Sequence, residues 1–321
     1  MAAARSGVRL RGVFTAAAVT AAVVVVGAVL PATAPPAHAA PTVPAAPVAA
    51  APVAPAAPTW APESSAAIHP GVLLSSTGGG GQCTANFVFT AGGRTFLGQA
   101  AHCTATGEAT DTNGCTSTTL PLGTEVDIAG GRRATLAYSS WATMQARGET
   151  DEGACSANDF ALVEIAPADV AAVNPTMPFF GGPTGVSRSG LPKGAQTYTY
   201  GNSPLRGGVS ALSPKGGVSN GDTDGGWGHE VYTMNPGVPG DSGSGYLDAD
   251  GGAVAILSTL NLAPLPVSNG VADLARALAY ANAYGGLGTI TLVPGTRAFT
   301  PNPPGVPATA VAVPAGPPLG G

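Results

Sequence analysis

Through the middle of the chain, apolar and polar positions run in short stretches broken by glycine-rich turns. Residues 86–90 (NFVFT) and 95–98 flank Ala91-Gly92-Gly93-Arg94, a pattern that predicts a β-hairpin. Residues 125–129 and 134–138 flank a second glycine pair, and 160–165 form a short apolar run suited to a barrel strand. Further strands are predicted at 197–200, 209–212 and 230–234. Two more, 245–248 and 253–259, flank the acidic turn Ala249-Asp250-Gly251-Gly252. Short strands at this spacing indicate a sandwich or a barrel. One segment has helical period: Val271, Leu274, Ala275, Leu278 and Ala279 share a face. Ser268 or Asn269 would cap that helix, and Gly285-Gly286 would stop it.

The two ends read differently. Arg5, Arg9 and Arg11 precede an apolar run over residues 13–30, followed by Ala37-His38-Ala39. That is the layout of an export signal cut after Ala39. The run would also reach across a bilayer as an anchor, but the small-residue site favours cleavage. The expected organisation is therefore a signal at 1–39, an Ala/Pro-rich linker at 40–66, one domain at 67–295 and a Pro/Gly-rich tail at 296–321. Charged residues make up only 10% of the chain and the net charge is −5, with no Lys/Arg cluster outside the signal. Nucleic acid is not an expected partner. After signal cleavage neither is a membrane, and a monomer is expected.

Four cysteines, Cys83, Cys103, Cys115 and Cys155, stand in a chain expected to be exported. An even count there indicates two disulfides, with three pairings open. There is no C-x-x-C pair and no matching histidine pair, so no metal or cofactor is expected.

Three segments carry the candidate chemistry. His102 lies in Gln99-Ala100-Ala101-His102-Cys103. Asp159 opens the apolar strand Asp159-Phe160-Ala161-Leu162-Val163, where a carboxylate needs a partner. Ser242 lies in Pro239-Gly240-Asp241-Ser242-Gly243-Ser244-Gly245, whose glycines let the backbone turn sharply. The N–H groups of Gly240 and Ser242 can then converge on a developing oxyanion. A hydroxyl, an imidazole and a buried carboxylate are the parts of a nucleophilic relay.

In this order, AAHC, NDFALV and GDSGSG resemble the chymotrypsin-like serine peptidases, in particular the secreted bacterial branch exemplified by streptogrisins of actinobacteria. The resemblance spans roughly residues 70 to 295 and implies an all-β fold of two six-stranded antiparallel barrels with a C-terminal helix. It implies a His102–Asp159–Ser242 triad in the cleft between the barrels, a protein or peptide substrate, and a Cys83–Cys103 bridge beside the histidine. The Cys115–Cys155 pair follows from counting alone. By resemblance Ser258 bonds the triad aspartate, and Ser258-Thr259-Leu260 forms the edge along which substrate lies. Pro236 would floor the specificity pocket and Leu260 would narrow it, so small or medium apolar residues are expected before the scissile bond.

The chain departs from the family at Gln99 in place of Thr, and at Ser244-Gly245 in place of Gly-Pro. No I-V-G-G precedes His102, so Asp241 needs an internal cation in place of a new N-terminus. Arg188, in Arg188-Ser189-Gly190, is the expected partner, with Arg206 and Lys215 as alternatives. A rival reading as an α/β-type esterase fails, because it requires G-x-S-x-G and the order Ser, Asp, His. A non-catalytic extracellular binding module on the same fold is the remaining alternative.

Overall fold

Glycine pairs turn the chain where the pattern places them. Strand β3 (Val88–Ala91) returns as β4 (Arg94–Gln99) across Gly92 and Gly93, both with positive φ. Strand β5 (Glu125–Ile128) returns as β6 (Arg132–Ser139) across Gly130 and Gly131, again with positive φ. The computed structural model describes residues 58–79, 81–108, 111–233, 235–261 and 267–301. The expected export signal lies outside these residues, as do most of the linker and tail.

The N-terminal strands also include β1 (Leu73–Ser76), β2 (Gln82–Thr84), β7 (Ala161–Ile165) and the short β14 (Thr291–Leu292). They form an eight-stranded antiparallel sheet in the order β14-β3-β4-β7-β6-β5-β1-β2. Where six strands are expected, β2 and β14 extend the set, and the ladder is not closed. The chain still curls the sheet round: residues 84–87 run from β2 into β3. Ala85 bonds Gly71 and Val72 on one side, and Asn86 and Phe87 bond Gly98 on the other.

The second half comprises β8 (Gln196–Tyr200), β9 (Pro214–Thr223), β10 (Gly228–Thr233), β11 (Gly245–Asp248), β12 (Ala253–Asn261) and β13 (Ser268–Asp273). These close a six-stranded barrel in the order β10-β13-β12-β11-β8-β9. Strand β9, PKGGVSNGDT, has no apolar alternation and is invisible in the pattern. It forms because β8 and β10 supply ladder partners along both of its edges. Residues 209–212, expected as a strand, instead make successive i→i+3 turns, Val209 N to Arg206 O and Leu212 N to Val209 O. No neighbouring strand offers them a ladder.

Alternation along single strands divides the core. On β7, Ala161, Val163 and Ile165 pack with Leu97, Val126 and Leu136 inside the first sheet. Leu162 on the opposite face joins Phe89, Phe96, Tyr138 and Phe160 in a cluster shared with Leu247, Ile256 and Leu274 of the second half. Phe89 meets Phe160 edge-on at 5.4 Å between ring centroids. The two halves are thus joined by a common apolar layer.

The late helix α3 spans Leu274–Tyr284, later than its periodicity implies. Val271 belongs to β13, and the N-cap is Asp273, whose Oδ1 accepts from Arg276 N at 2.8 Å. Gly285 ends the helix as expected. Two shorter helices have no apolar signature. Helix α1 (Ser140–Arg147) is capped by Ser139 and α2 (Glu152–Ala157) by Asp151. Both expected disulfides are present, Cys83–Cys103 and Cys115–Cys155. The second ties α2 to the loop before β5.

Residues just outside the expected span 67–295 make contacts with it and with one another. Ala61 N donates to Val173 O and Asn174 Nδ2 to Ala61 O, while Trp60 packs on the first core. At the other end Arg297 pairs with Glu63 at 3.0 Å and Phe299 stacks edge-on against Tyr198. A low-complexity composition hides these contacts, because single aromatic and charged residues anchor the strap.

Candidate active site

His102 sits in a 3₁₀ turn, Ala101–Thr104, directly after β4 and anchored by Cys103 to Cys83. A bridge closing a loop of this length stabilises by roughly 3 kcal/mol in the chain-entropy account. Helix α2 delivers Asn158 and Asp159 to the start of β7, whose pairing with β4 brings Asp159 under the histidine. His102 Nδ1 lies 2.6 Å from Asp159 Oδ2, and His102 N donates to Asp159 Oδ1 at 2.9 Å. Ser258 Oγ donates to the same Oδ2 at 2.6 Å. The ladder between β12 and β13 shifts register between Leu257 and Thr259, which sets Ser258 out of the regular pairing.

Asp159 is almost fully buried and His102 partly exposed. Burial works to raise the Asp159 pKa, but the His102 charge and the bonds from His102 and Ser258 outweigh it and hold the carboxyl below 3.8. For His102, burial pulls downward, and the Asp159 charge and hydrogen bond reverse it, leaving the imidazole above 6.5. An imidazole whose Nδ1–H is engaged by a carboxylate presents Nε2 as the proton acceptor.

The Ser242 segment belongs to the second half yet is docked on the first. Thr84 N donates to Ser242 O at 2.8 Å, Thr84 Oγ1 to Gly240 O at 2.7 Å, and Asn86 Nδ2 to Gly243 O at 3.1 Å. A Cβ at Gly243 would stand 2.7 Å from Thr84 O and 2.9 Å from Ala100 N, two residues before His102. Only glycine permits that approach, and its φ is +86°. On the other side Gly243 N donates to Leu257 O and Leu257 N to Ser244 O. The same loop is therefore held between residues 84–86 and the strand carrying Ser258, with Gly243 packed close to Ala100. Thr84 and Asn86 have no sequence signal for this role, because their partners are more than 150 residues away.

Within the loop, Asp241 N, Gly243 N and Ser244 N are bonded to Val238 O, Leu257 O and Asp241 O. The N–H groups of Gly240 and Ser242 have no protein acceptor among the described residues. Gly240 adopts φ +97°. Unengaged N–H donors of this kind can stabilise developing negative charge.

Asp241 is fully buried and pairs with Arg206 and Lys215, whereas the expected partner Arg188 is exposed and forms no ion pair with it. Arg206 Nη2 bonds Asp241 Oδ2, and Lys215 Nζ reaches the same oxygen at 2.7 Å. Ser203 N donates to Oδ1 and Val238 N to Oδ2. These two cations were the alternatives. Arg206 ends the 3₁₀ turn Pro204–Arg206, and Lys215 projects inward from β9, the strand the pattern does not reveal. A Cβ at Gly201 would lie 2.4 Å from Asp241 Oδ1 and 2.7 Å from Lys215 Nζ, so the cluster needs glycine there. Desolvation lowers the Lys215 pKa to about 8 against the pull of Asp241. Burial pushes the Asp241 pKa up, but Lys215 and Arg206 prevail and hold it low.

The remaining candidates separate. Pro236 O accepts from Arg206 Nη2 at 3.1 Å, Thr259 Oγ1 donates to Asn261 Oδ1, and Leu260 is 39% exposed. A cleft of about 240 Å³ is lined by Ser258, Thr259, Thr112, Ser156 and Asp224. His229 is a buried strand histidine held between Asp222 and Asp273 at 2.9 and 3.1 Å. Among the described residues the one metal-like grouping is Cys83, His102 and Cys103, but both sulfurs are spent in a disulfide.

No family model and no curated protein matches the sequence. Among solved structures the chain is similar to Thermobifida fusca Protease A, at 17% identity over 71% of this chain and 99% of that one, with a TM-score of 0.44. It is also similar to Nocardiopsis protease, at 18% identity over 70% and 98%, TM-score 0.40. A third, Cellulomonas bogoriensis chymotrypsin, matches at 16% identity over 70% and 98%, TM-score 0.40. The chain's likeness to solved structures is thus to actinobacterial chymotrypsin-like serine proteases, at low identity.

Proposed function

We propose that the chain is a secreted serine endopeptidase acting through an acyl-enzyme on Ser242. The observations that carry this reading are the His102–Asp159–Ser258 hydrogen bonds and a Ser242 loop bonded to Thr84 and Asn86 on one side and to Leu257, beside Ser258, on the other. Ser242 Oγ attacks the peptide carbonyl carbon as His102 Nε2 takes its proton. The carbonyl oxygen gains the negative charge, facing Gly240 N and Ser242 N. His102 then returns the proton to the leaving amine, the C–N bond breaks, and water repeats the sequence to release the acid. Asp159 stays ionised throughout and stabilises the imidazolium. Two disulfides fit an oxidising compartment. Among the described residues no helix is long and apolar enough to cross a membrane.

The direct test is a fluorophosphonate probe on the purified protein, with the modified residue located by mass spectrometry. Labelling at Ser242 supports the reading. An unlabelled, folded protein would instead be a binding module.

The pH profile follows from the His102 environment. The working base is the neutral imidazole, so activity falls as pH drops through the His102 pKa. Because Asp159 holds that pKa above 6.5, the acid limb of kcat/KM should have its midpoint above 6.5. A midpoint at or below that value would contradict the His102–Asp159 coupling.

A further inference from the structure

The Gly240 N–H belongs to the peptide between Pro239 and Gly240, and the other end of that peptide is held. Asp241 N donates to Val238 O at 2.8 Å, closing a four-residue turn with Pro239 and Gly240 at its centre. Gly240 has φ +97°. Proline second and a glycine of positive φ third make a type II turn. The type I turn open to the same residues has its central peptide flipped over. In a trans peptide the C=O and N–H point to opposite sides. That flip would turn the Gly240 N–H away from the face it serves and put the Pro239 carbonyl there.

One side chain selects between the two orientations. Ser203, 3% exposed and just beyond β8, donates from Oγ to Pro239 O at 2.6 Å. A hydroxyl has one proton, and the other contact of this Oγ is an accepted bond, from Leu205 N at 3.1 Å. The proton is therefore committed to Pro239. Ser203 is itself fixed, since its N donates to Asp241 Oδ1 at 2.9 Å. A Cβ at Gly240 would stand 2.8 Å from Pro204 Cδ and 3.1 Å from Ser203 Oγ, so the two segments are packed together. The Thr84 bond falls on Gly240 O, which belongs to the next peptide.

We infer that Ser203 is a positioning residue for catalysis. Its hydroxyl holds the Pro239 carbonyl, keeps the 239–240 peptide in the orientation that aims Gly240 N–H at the oxyanion, and extends the hold of the Asp241 cluster to that donor. The inference rests on the peptidase reading of the same site. An oxyanion donor is worth about 10² to 10³ in kcat. Without the hydroxyl the flipped turn becomes populated, and part of that factor is lost.

The test compares wild type with Ser203→Ala and Ser203→Gly on one peptide anilide, alongside thermal melts. Glycine is well tolerated at the start of a helical turn, so the second variant removes the same hydroxyl at little cost in folding. Both variants should lose roughly 10- to 100-fold in kcat with KM within about twofold of wild type, as for an interaction made only in the transition state. A peptidyl trifluoromethyl ketone reads the donor directly. Ser242 Oγ adds to its carbonyl carbon, the hydroxyl proton passes to His102, and the new oxyanion faces Gly240 N and Ser242 N. Its inhibition constant should rise by about the factor by which kcat/KM falls. A merely structural role would shift the melting transition without that proportion. Wild-type kcat in either folded variant overturns the inference, as does a loss of kcat with unchanged affinity for the ketone. Either result leaves the peptidase reading intact where the fluorophosphonate labels Ser242 of the wild type. A folded wild type that this probe does not label overturns both.

Discussion

Ser242→Ala and His102→Ala should each lower peptide hydrolysis by a factor on the order of 10⁶ in kcat, with the melting transition unchanged. Each removes one member of a relay that works only as a unit. Ser242 is the attacking atom, and without His102 no base receives its proton. Both side chains are partly exposed, so truncation opens no cavity in the core. Asp159→Asn is expected to be milder, with a loss of about 10⁴. Its Oδ2 accepts from both His102 and Ser258, and an amide placed there either donates to Nδ1 or leaves one donor unanswered. The imidazole then turns its acceptor nitrogen away from Ser242. Ser258→Ala removes one charge-assisted bond, worth about 1.5–3 kcal/mol, and should fall between wild type and Asp159→Asn. Steady-state kinetics on one peptide, with circular dichroism melts, reads the whole series. Turnover near the wild-type level in Ser242→Ala or His102→Ala ends the assignment.

The second large effect is expected at Asp241, where stability and turnover should fall together. Asp241→Ala leaves Arg206, 7% exposed, and Lys215, 1% exposed, without the carboxylate between them. Stranding buried charge in this way typically costs about 3–5 kcal/mol. It also frees Ser203 N and Val238 N, which hold the turn that aims Gly240 N. Losing one oxyanion donor costs about 10² to 10³ in kcat. Arg188→Ala, at an exposed position, should stay within about 0.5 kcal/mol of wild type. Lys215 adds a pH signature. Its folded pKa of about 8 lies below the ordinary 10.5, so between those values the unfolded chain holds a proton the folded chain has released. This group's contribution to stability therefore rises with pH across that window. Denaturant melts of wild type and Lys215→Met between pH 7 and 10 check the sign. A wild-type stability difference across that range that Lys215→Met leaves unchanged would refute it.

What the sequence determined by itself lay within short stretches of chain. Glycine pairs at 92–93 and 130–131 turn hairpins because glycine accepts positive φ without steric cost, wherever the chain later packs. The apolar run at 160–165 and the segments flanking the turn at 249–252 mark strands, because their apolar side chains must leave water and the glycines reverse the chain. His102, Asp159 and Ser242 can be named because each residue type sits in a local context suited to its chemistry. Tertiary structure decided what depends on distant neighbours. Strand β9 exists because two partners complete its ladder, and with it Lys215 enters the interior. The expected strand at 209–212 finds no ladder partner and becomes turns. Val271 carries a helical period yet lies in β13, because the barrel needs that strand to close and Asp273 caps the helix only afterwards. The partners of Asp241 and the docking of Thr84 and Asn86 on the Ser242 loop are contacts between segments far apart in sequence. No local pattern encodes them, since closure of the second barrel and its packing on the first sheet set their distances.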